Sequence, residues 1–265
     1  MSPPVEASDE PAHVARTGAL LSTLVDAALA VGAALEAIPR EDRRLPGGRP
    51  GQYRLDLVAD EILVASLLSA GMAVLSEESG HSAPARREDR DLLTAVVDPV
   101  DGSTNAAMGI PWYATSVCVL DGDGPLVALV LDQASGTRFE AVRGGGARRD
   151  GVPLAPSGCR SLRSAIVGVS GLPSKHPGWA QFRALGAASL DLCCVAAGNL
   201  DGYRVAGASR LHIWDYLAAV LVLNEAGACV AELDDKDLVT TGTTPRRPAA
   251  AATGELLAQL AAADV

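Results

Sequence analysis

Three short acidic segments carry residue types able to do chemistry. The first is Asp98-Pro-Val-Asp-Gly-Ser-Thr. Asp98 and Asp101 leave the apolar run TAVV (94–97) and enter a turn that Pro99 stiffens and Gly102 permits. That spacing allows both carboxylates to aim at one point with the Val100 carbonyl between them, and Ser103 and Thr104 add hydroxyls. Oxygen-only donors of this kind suit a hard cation such as Mg²⁺; a plain acidic DG turn is the alternative. The second segment is Glu77-Glu78, at the end of the apolar run MAVL (72–75). Adjacent side chains on a strand point to opposite sides, so only one of these carboxylates can face a shared centre. A solvated loop is the alternative there. The third is Trp214-Asp215, ahead of YLAAVLVLNEAG, where Asp215 is also suited to be a helix N-cap.

The elements that must position these segments follow from periodicity and breakers. Residues 13–38 form a long helical pattern stopped by Pro39, and RRLPGGRPG (43–51) is a loop. A second helix covers Leu57 to Ser69, with Gly71 at its C-terminal end, and leads into the strand 72–75. A charged loop, Arg86 to Asp91, precedes the strand 94–97. Strand-like runs follow at Thr115–Leu120, Leu126–Leu131 and Thr137–Val142, with Asp121-Gly-Asp-Gly closing a hairpin. The glycine-rich RGGGARRDG (143–151) reads as a surface turn or hairpin, because no helix opens after it. Beyond residue 160 strand and helix alternate: strand Ala165–Val169, helix Ser189–Ala197, helix Trp214–Ala226 stopped by Gly227, strands Ala228–Ala231 and Ala249–Ala252, and a last helix to Ala263. The pattern is that of a mixed α/β protein.

Composition bounds the partners. The chain has 265 residues, 48% hydrophobic and 20% charged, enough for a sizeable core in one large domain or two small ones. Lys plus Arg is 22 against 32 Asp plus Glu, a formal charge of −10, which argues against a general nucleic-acid binder. Aromatics at 3% argue against an array of base-stacking platforms. Five scattered cysteines without a CxxC pair read as reduced, which fits a cytoplasmic chain. The opening MSPPVEASDEPA has no basic region before an apolar one and reads as a frayed start rather than a signal peptide. The apolar stretch Ala19 to Leu35 is interrupted by Ser22, Thr23 and Asp26, so it reads as a core helix and not a membrane span.

Taken together, SEES (76–79), VVDPVDGSTNAAMGIP (96–111), GAASLDLCCVAAGNLDGY (186–203) and WDYLAAVLVLNEAG (214–227) resemble the inositol monophosphatase family of Mg²⁺-dependent, lithium-sensitive sugar phosphatases. The resemblance runs from the first helix to the last strand. It implies an α/β (α+β) fold, the layered αβαβα sandwich shared with fructose-1,6-bisphosphatase. An N-terminal half (1–158) would carry SEES and DPVDGST and a C-terminal half (159–265) the WD motif, in one compact unit. It also implies that Glu77, Asp98, Asp101, Asp215 and the Val100 carbonyl hold two or three Mg²⁺ ions, with Glu77 and Ser103 orienting an attacking water. Asp101, Gly102, Ser103, Gly186, Ala187, Ala188 and Asp215 would contact the substrate, the three small residues lining a sugar pocket or, equally, packing helices. A homodimer is expected.

The departures from the family pattern concern the leaving group. Between Tyr203 and Trp214 the chain has RVAGASRLHI, with no carboxylate where the family usually grips inositol hydroxyls. The expected substrate is therefore a small polyol or sugar phosphate such as inositol monophosphate. Fructose 1,6-bisphosphate, histidinol phosphate, a 3′-phosphonucleotide and a non-catalytic regulatory role are the alternatives. The DxVTxxD motif appears, shortened or shifted, as LDLVADE (55–61), where either Asp56 or Asp60 could support the metal-water site or cap a helix, the structural role being preferred for both. His212 is read as a surface or supporting residue, since metal-activated water removes the need for a histidine base.

Overall fold

The structure, a computed structural model, describes residues 10–84 and 93–263. The frayed start over its first nine residues, and the charged loop at 86–91, lie outside the described residues. The chain opens with α1 (Glu10–Ala37) and α2 (Arg54–Ser69). Helix α2 starts three residues before the expected Leu57, because Asp56 accepts the Tyr53 backbone N–H at 2.7 Å and closes a capping box one turn earlier.

Among the described residues the strands form two sheets. The first holds β1 (Ala73–Ser76), β2 (Gly80–Ser82), β3 (Thr94–Asp101), β4 (Ala114–Asp121), β5 (Gly124–Asp132), β6 (Arg138–Val142), β7 (Gly146–Arg149) and β8 (Val152–Pro153), in the order β2-β1-β3-β4-β5-β6-β7-β8. Only its β1–β3 pair is parallel. A short helix, α3 (Ser103–Met108), follows β3. The second sheet has the order β10-β9-β11-β13-β12, from β9 (Ile166–Ser170), β10 (Gln181–Arg183), β11 (Gly202–Val205), β12 (Cys229–Glu232) and β13 (Pro248–Ala251). Helices α4 (Ala188–Ala196), α5 (Ile213–Ala226) and α6 (Gly254–Ala262) complete the fold.

Burial explains the layering. Leu24, Val31 and Leu35 of α1 and Leu63 and Leu67 of α2 pack with Val97, Val117, Val119 and Leu129, on one face of the first sheet. The opposite face, with Val96, Cys118 and Val130, packs on Leu192 and Val195 of α4 and Leu217 and Leu221 of α5, which also meet Tyr203 and Val205 of β11. Leu256 and Leu260 of α6 cover Val167, Val169 and Ala251 on the far side of the second sheet. The order helix, sheet, helix, sheet, helix therefore buries the central strands on both faces, which is why residues 117–120 of β4 and 126–131 of β5 read as unbroken apolar runs. The edge strand β10, whose residues QFR are all exposed, and the brief β11 carry no apolar alternation and escape the sequence pattern.

Two local readings meet their partners here. The glycine-rich segment is the β6–β7 hairpin turn, and the Gly144 and Gly146 N–H groups donate to Glu225 of α5, each at 2.9 Å. All five cysteines are free. By length and composition alone Pro11–Ala37 is apolar enough to cross a membrane; in the fold its inner face packs on α2 and β5.

Candidate metal centre

A strand irregularity sets the positions of the DPVDG carboxylates. Strand β3 lies between β1 and β4, where a proline has no ladder hydrogen bond to give, so Pro99 calls for a bulge. The register confirms it: Asp98 pairs with Ser116 and Asp101 with Ala114, leaving Pro99 and Val100 opposite Thr115 alone. In a regular strand, residues three apart face opposite ways. The bulge reverses that parity, and Val97 and Val100 accordingly both enter the α1–α2 side of the core. Asp98 and Asp101 are left together on the other side. The Val100 N–H donates to Asp98 Oδ1 at 3.0 Å and Thr115 Oγ1 donates to the Pro99 carbonyl at 2.9 Å, which pins the bulge.

Two further elements bring carboxylates to Asp98. The parallel register Ser76↔Val97 sets Glu77, the residue after β1, beside Asp98, and the Glu77 N–H donates to the Val97 carbonyl at 3.2 Å. Ser116, opposite Asp98, donates to the Trp214 carbonyl at 3.4 Å and so holds the first turn of α5 over the strand end. Asp215 is the third residue of that helix. His212, and not Asp215, occupies the N-cap, and Asp215 Oδ2 accepts its backbone N–H at 2.7 Å. The result is that one oxygen each from Glu77, Asp98 and Asp215 lie within 4.8 Å of one another. Glu78 turns the other way, to Arg49 and Gln52.

Asp101 sits beside this cluster, and its oxygens also accept from the start of α4. It accepts the backbone N–H groups of Ala188 (3.2 Å) and Ser189 (2.7 Å) and the Ser189 hydroxyl, tying the N-terminus of α4 to the turn. Gly186, Ala187 and Ala188 pack against the same turn, and the two alanines are buried. Gly102 has φ +85°, and a Cβ there would stand 3.0–3.1 Å from the Trp112 carbonyl, Ala187 Cβ and the Gly186 carbonyl. Gly102→Ala is therefore expected to destabilise the protein by about 1–3 kcal/mol, combining left-handed strain with overpacking. A urea unfolding midpoint unchanged from wild type would contradict this.

Mutual repulsion and burial dominate the electrostatics. Burial pushes Glu77 up to about 7, with Glu78, Asp101 and Asp56 adding to it and a hydrogen bond with Asp98 opposing. Asp98, which is buried, and Asp215, which is half-buried, lose solvation and face Glu77 and Asp101, and both are raised well above the usual range. Asp101 reaches only about 6, because its hydrogen bonds to Ser189 and Ala188 offset burial. Carboxylates crowded in this way bind protons unless a cation replaces them. All-oxygen donors converging from three elements fit a hard divalent cation.

Two residues outside the three acidic segments bear on the site. Asp56 caps α2 yet also faces the cluster: burial raises it to about 7, while the hydrogen bond from the Tyr53 N–H opposes the rise and the charge of Glu78 adds to it. Its place three residues after Tyr53 marks the cap, but nothing local in the sequence marks its approach to the carboxylate cluster. Asn105 was not singled out, and its Nδ2 donates to the Trp112 and Leu185 carbonyls at 2.8 Å each, lacing α3 to the segment before α4. Asp60 is structural, accepting from Ser76 at the end of β1. His212 stacks on Trp214 with ring centroids 4.9 Å apart, and its Nδ1 meets the Thr243 carbonyl at 2.9 Å.

Fold and site together define a class: a layered α+β protein with a carboxylate centre where strand ends meet the start of a helix between its sheets. The family model for the inositol monophosphatase family matches residues 51–265, and the chain belongs to that family. It is 32% identical over 248 residues to an inositol-1-monophosphatase of Mesorhizobium japonicum, covering 85% of this chain and 90% of that protein. It is also 32% identical over 195 residues to the Nus factor SuhB of Escherichia coli K12, covering 67% of this chain and 70% of that one. The crystal structure of the extragenic suppressor protein SuhB from Bartonella henselae superposes with a TM-score of 0.77 at 25% identity, over 92% of this chain and 97% of that one.

Proposed function

We propose that the protein is a Mg²⁺-dependent phosphomonoesterase acting on a small polyol or sugar phosphate. The observation that carries this reading is the convergence of Glu77, Asp98 and Asp215 from three separate elements. These carboxylates would hold the metal, with the Val100 carbonyl and Asp101 as the further donors that family likeness suggests. Bound Mg²⁺ would offset the negative charge of a phosphate dianion and acidify a coordinated water.

The chain's own residues divide the remaining work. Glu77 and the Ser103 hydroxyl orient the attacking water, and Asp56, buried beside the same carboxylates, adds negative charge to the centre from α2. Backbone N–H groups of Gly102 and Ser103 receive phosphate oxygens. Asp101 holds α4 against the turn, which keeps Gly186, Ala187 and Ala188 at the edge of the substrate site. Val205, at the end of β11, is buried apolar surface in the stretch where the family usually places a polyol-gripping carboxylate. This widens the candidates to fructose 1,6-bisphosphate, histidinol phosphate and 3′-phosphonucleotides.

We read residues 1–158 and 159–265 as two halves of one unit, since one sheet draws its strands from 73–153 and the other from 166–251. We read the protein as a cytoplasmic homodimer. Phosphate release from a panel of these esters, with and without Mg²⁺, tests the reading. Metal-dependent turnover of at least one is expected, and no release from any at saturating Mg²⁺ would overturn it. A regulatory role at the protein surface is favoured only by the relatives named Nus factor.

A further inference from the structure

We propose that Thr115 and Gln133 are positioning residues of the metal centre, forming a directed hydrogen-bond relay that runs from α1 to the β3 bulge. Gln133 follows β5 and sits half-buried beneath α1. Its Nε2 donates at 2.8 Å to the Ala28 carbonyl of α1 and at 2.8 Å to Thr115 Oγ1. Thr115, fully buried, passes its own proton to the Pro99 carbonyl at 2.9 Å.

Every direction in this chain is determined. Two of the terminal groups are carbonyls, which only accept, so the threonine hydroxyl must donate to Pro99 and must receive from Gln133. The amide cannot be reversed, because its oxygen would then face the Ala28 carbonyl. Gly32, one helical turn after Ala28, makes the seat: a Cβ there would overlap Gln133 Oε1. The relay thus uses both amide protons and ends on the Pro99 carbonyl inside the bulge.

The bulge is what puts Asp98 and Asp101 on one side of β3 and turns the Val100 peptide toward them. The Pro99–Val100 peptide is held at both ends, its carbonyl by Thr115 at 2.9 Å and its N–H by Asp98 Oδ1 at 3.0 Å, and Thr115 is the hold that comes from outside the metal-binding carboxylates. Residues that orient metal ligands without touching the metal affect affinity strongly. This inference rests on the reading of the carboxylates as a divalent-cation site.

Calorimetric titration of Mg²⁺ into the metal-free full-length protein tests both. Thr115→Val keeps the shape and removes the donor, and is expected to weaken Mg²⁺ binding about tenfold. Thr115→Ser keeps the hydroxyl and is expected to bind as wild type does. Gly32→Ala supplies an independent arm should the buried substitution impair folding. It improves helix propensity and displaces only the end of a flexible side chain, so melting temperature holds or rises while Mg²⁺ affinity falls. A purely structural role would move stability and affinity together. Wild-type affinity in both Thr115→Val and Gly32→Ala overturns the relay alone. No Mg²⁺ binding by the wild type overturns the cation site, and the relay with it.

Discussion

Asp98→Asn is expected to abolish phosphate release, by about a thousandfold or more, while the metal-free variant melts higher than the wild type. The two effects share one cause. Asp98 is buried at the middle of the cluster, with Glu77 and Asp215 within 4.8 Å. Without a cation, its charge is opposed by desolvation first, then by Glu77, Asp101, Asp215 and Asp56. Asparagine has the same shape and retains an oxygen to accept the Val100 N–H, so the bulge survives. It removes repulsion that destabilises the empty site, and a gain of about 1 kcal/mol would raise the melting temperature by about 2–4 °C. The same change removes the central anionic ligand, and losing about 4 kcal/mol of transition-state stabilisation amounts to about a thousandfold in rate. Phosphate-release assays and thermal melts of metal-free protein check the pair. Retained turnover would refute the catalytic assignment, and a surface regulatory role would survive the substitution.

The metal-free protein is also expected to become less stable as pH rises from about 4 to above 7, and Mg²⁺ to remove that dependence. Unfolded carboxyls titrate near 3.8 for Asp and 4.5 for Glu, whereas folded Glu77 and Asp56 titrate at about 7 and Asp101 at about 6. Between those values the native state binds more protons than the unfolded chain, so unfolding becomes easier as protons are withdrawn. The stability is present in full below about 4. It is lost as pH climbs through the folded values, with Asp98 and Asp215 extending the loss further upward. A single group moved by about three units accounts for ~4 kcal/mol, and because these groups share charge their effects do not sum. Bound Mg²⁺ replaces the protons, so its affinity should increase with pH over the same range. Urea midpoints at pH 5 to 8, with and without Mg²⁺, give the test. A metal-free midpoint that stays level or rises would contradict it.

Much of the architecture is written in local pattern. The apolar runs of β4 and β5, Pro39 after α1, Gly227 after α5 and the Asp-Gly-Asp-Gly hairpin each act through nearest neighbours, so their elements are legible from residue order. The same holds for the three acidic segments, whose residue types already suit a hard cation. Elements stabilised mainly from outside themselves are not legible. β11 has four residues and is held by β9 and β13, while β10 is an exposed edge paired only with β9.

The charge excess illustrates the same boundary. A formal −10 argues against a phosphate-coating surface, but composition is blind to where the charges lie. By itself the sequence determined the donors: Glu77, Asp98, Asp101 and Asp215, a proline where a central strand must bulge, and a glycine where the turn must reverse. Only the tertiary structure decided which donors meet. Asp101 was drawn to the start of α4 and Glu78 to Arg49. Glu77 and Asp215 were carried to Asp98 by a parallel strand register and a helix docked between two sheets. The reason is physical. Side-chain chemistry belongs to single residues, but a binding site is a distance between residues far apart in the chain, and packing sets that distance.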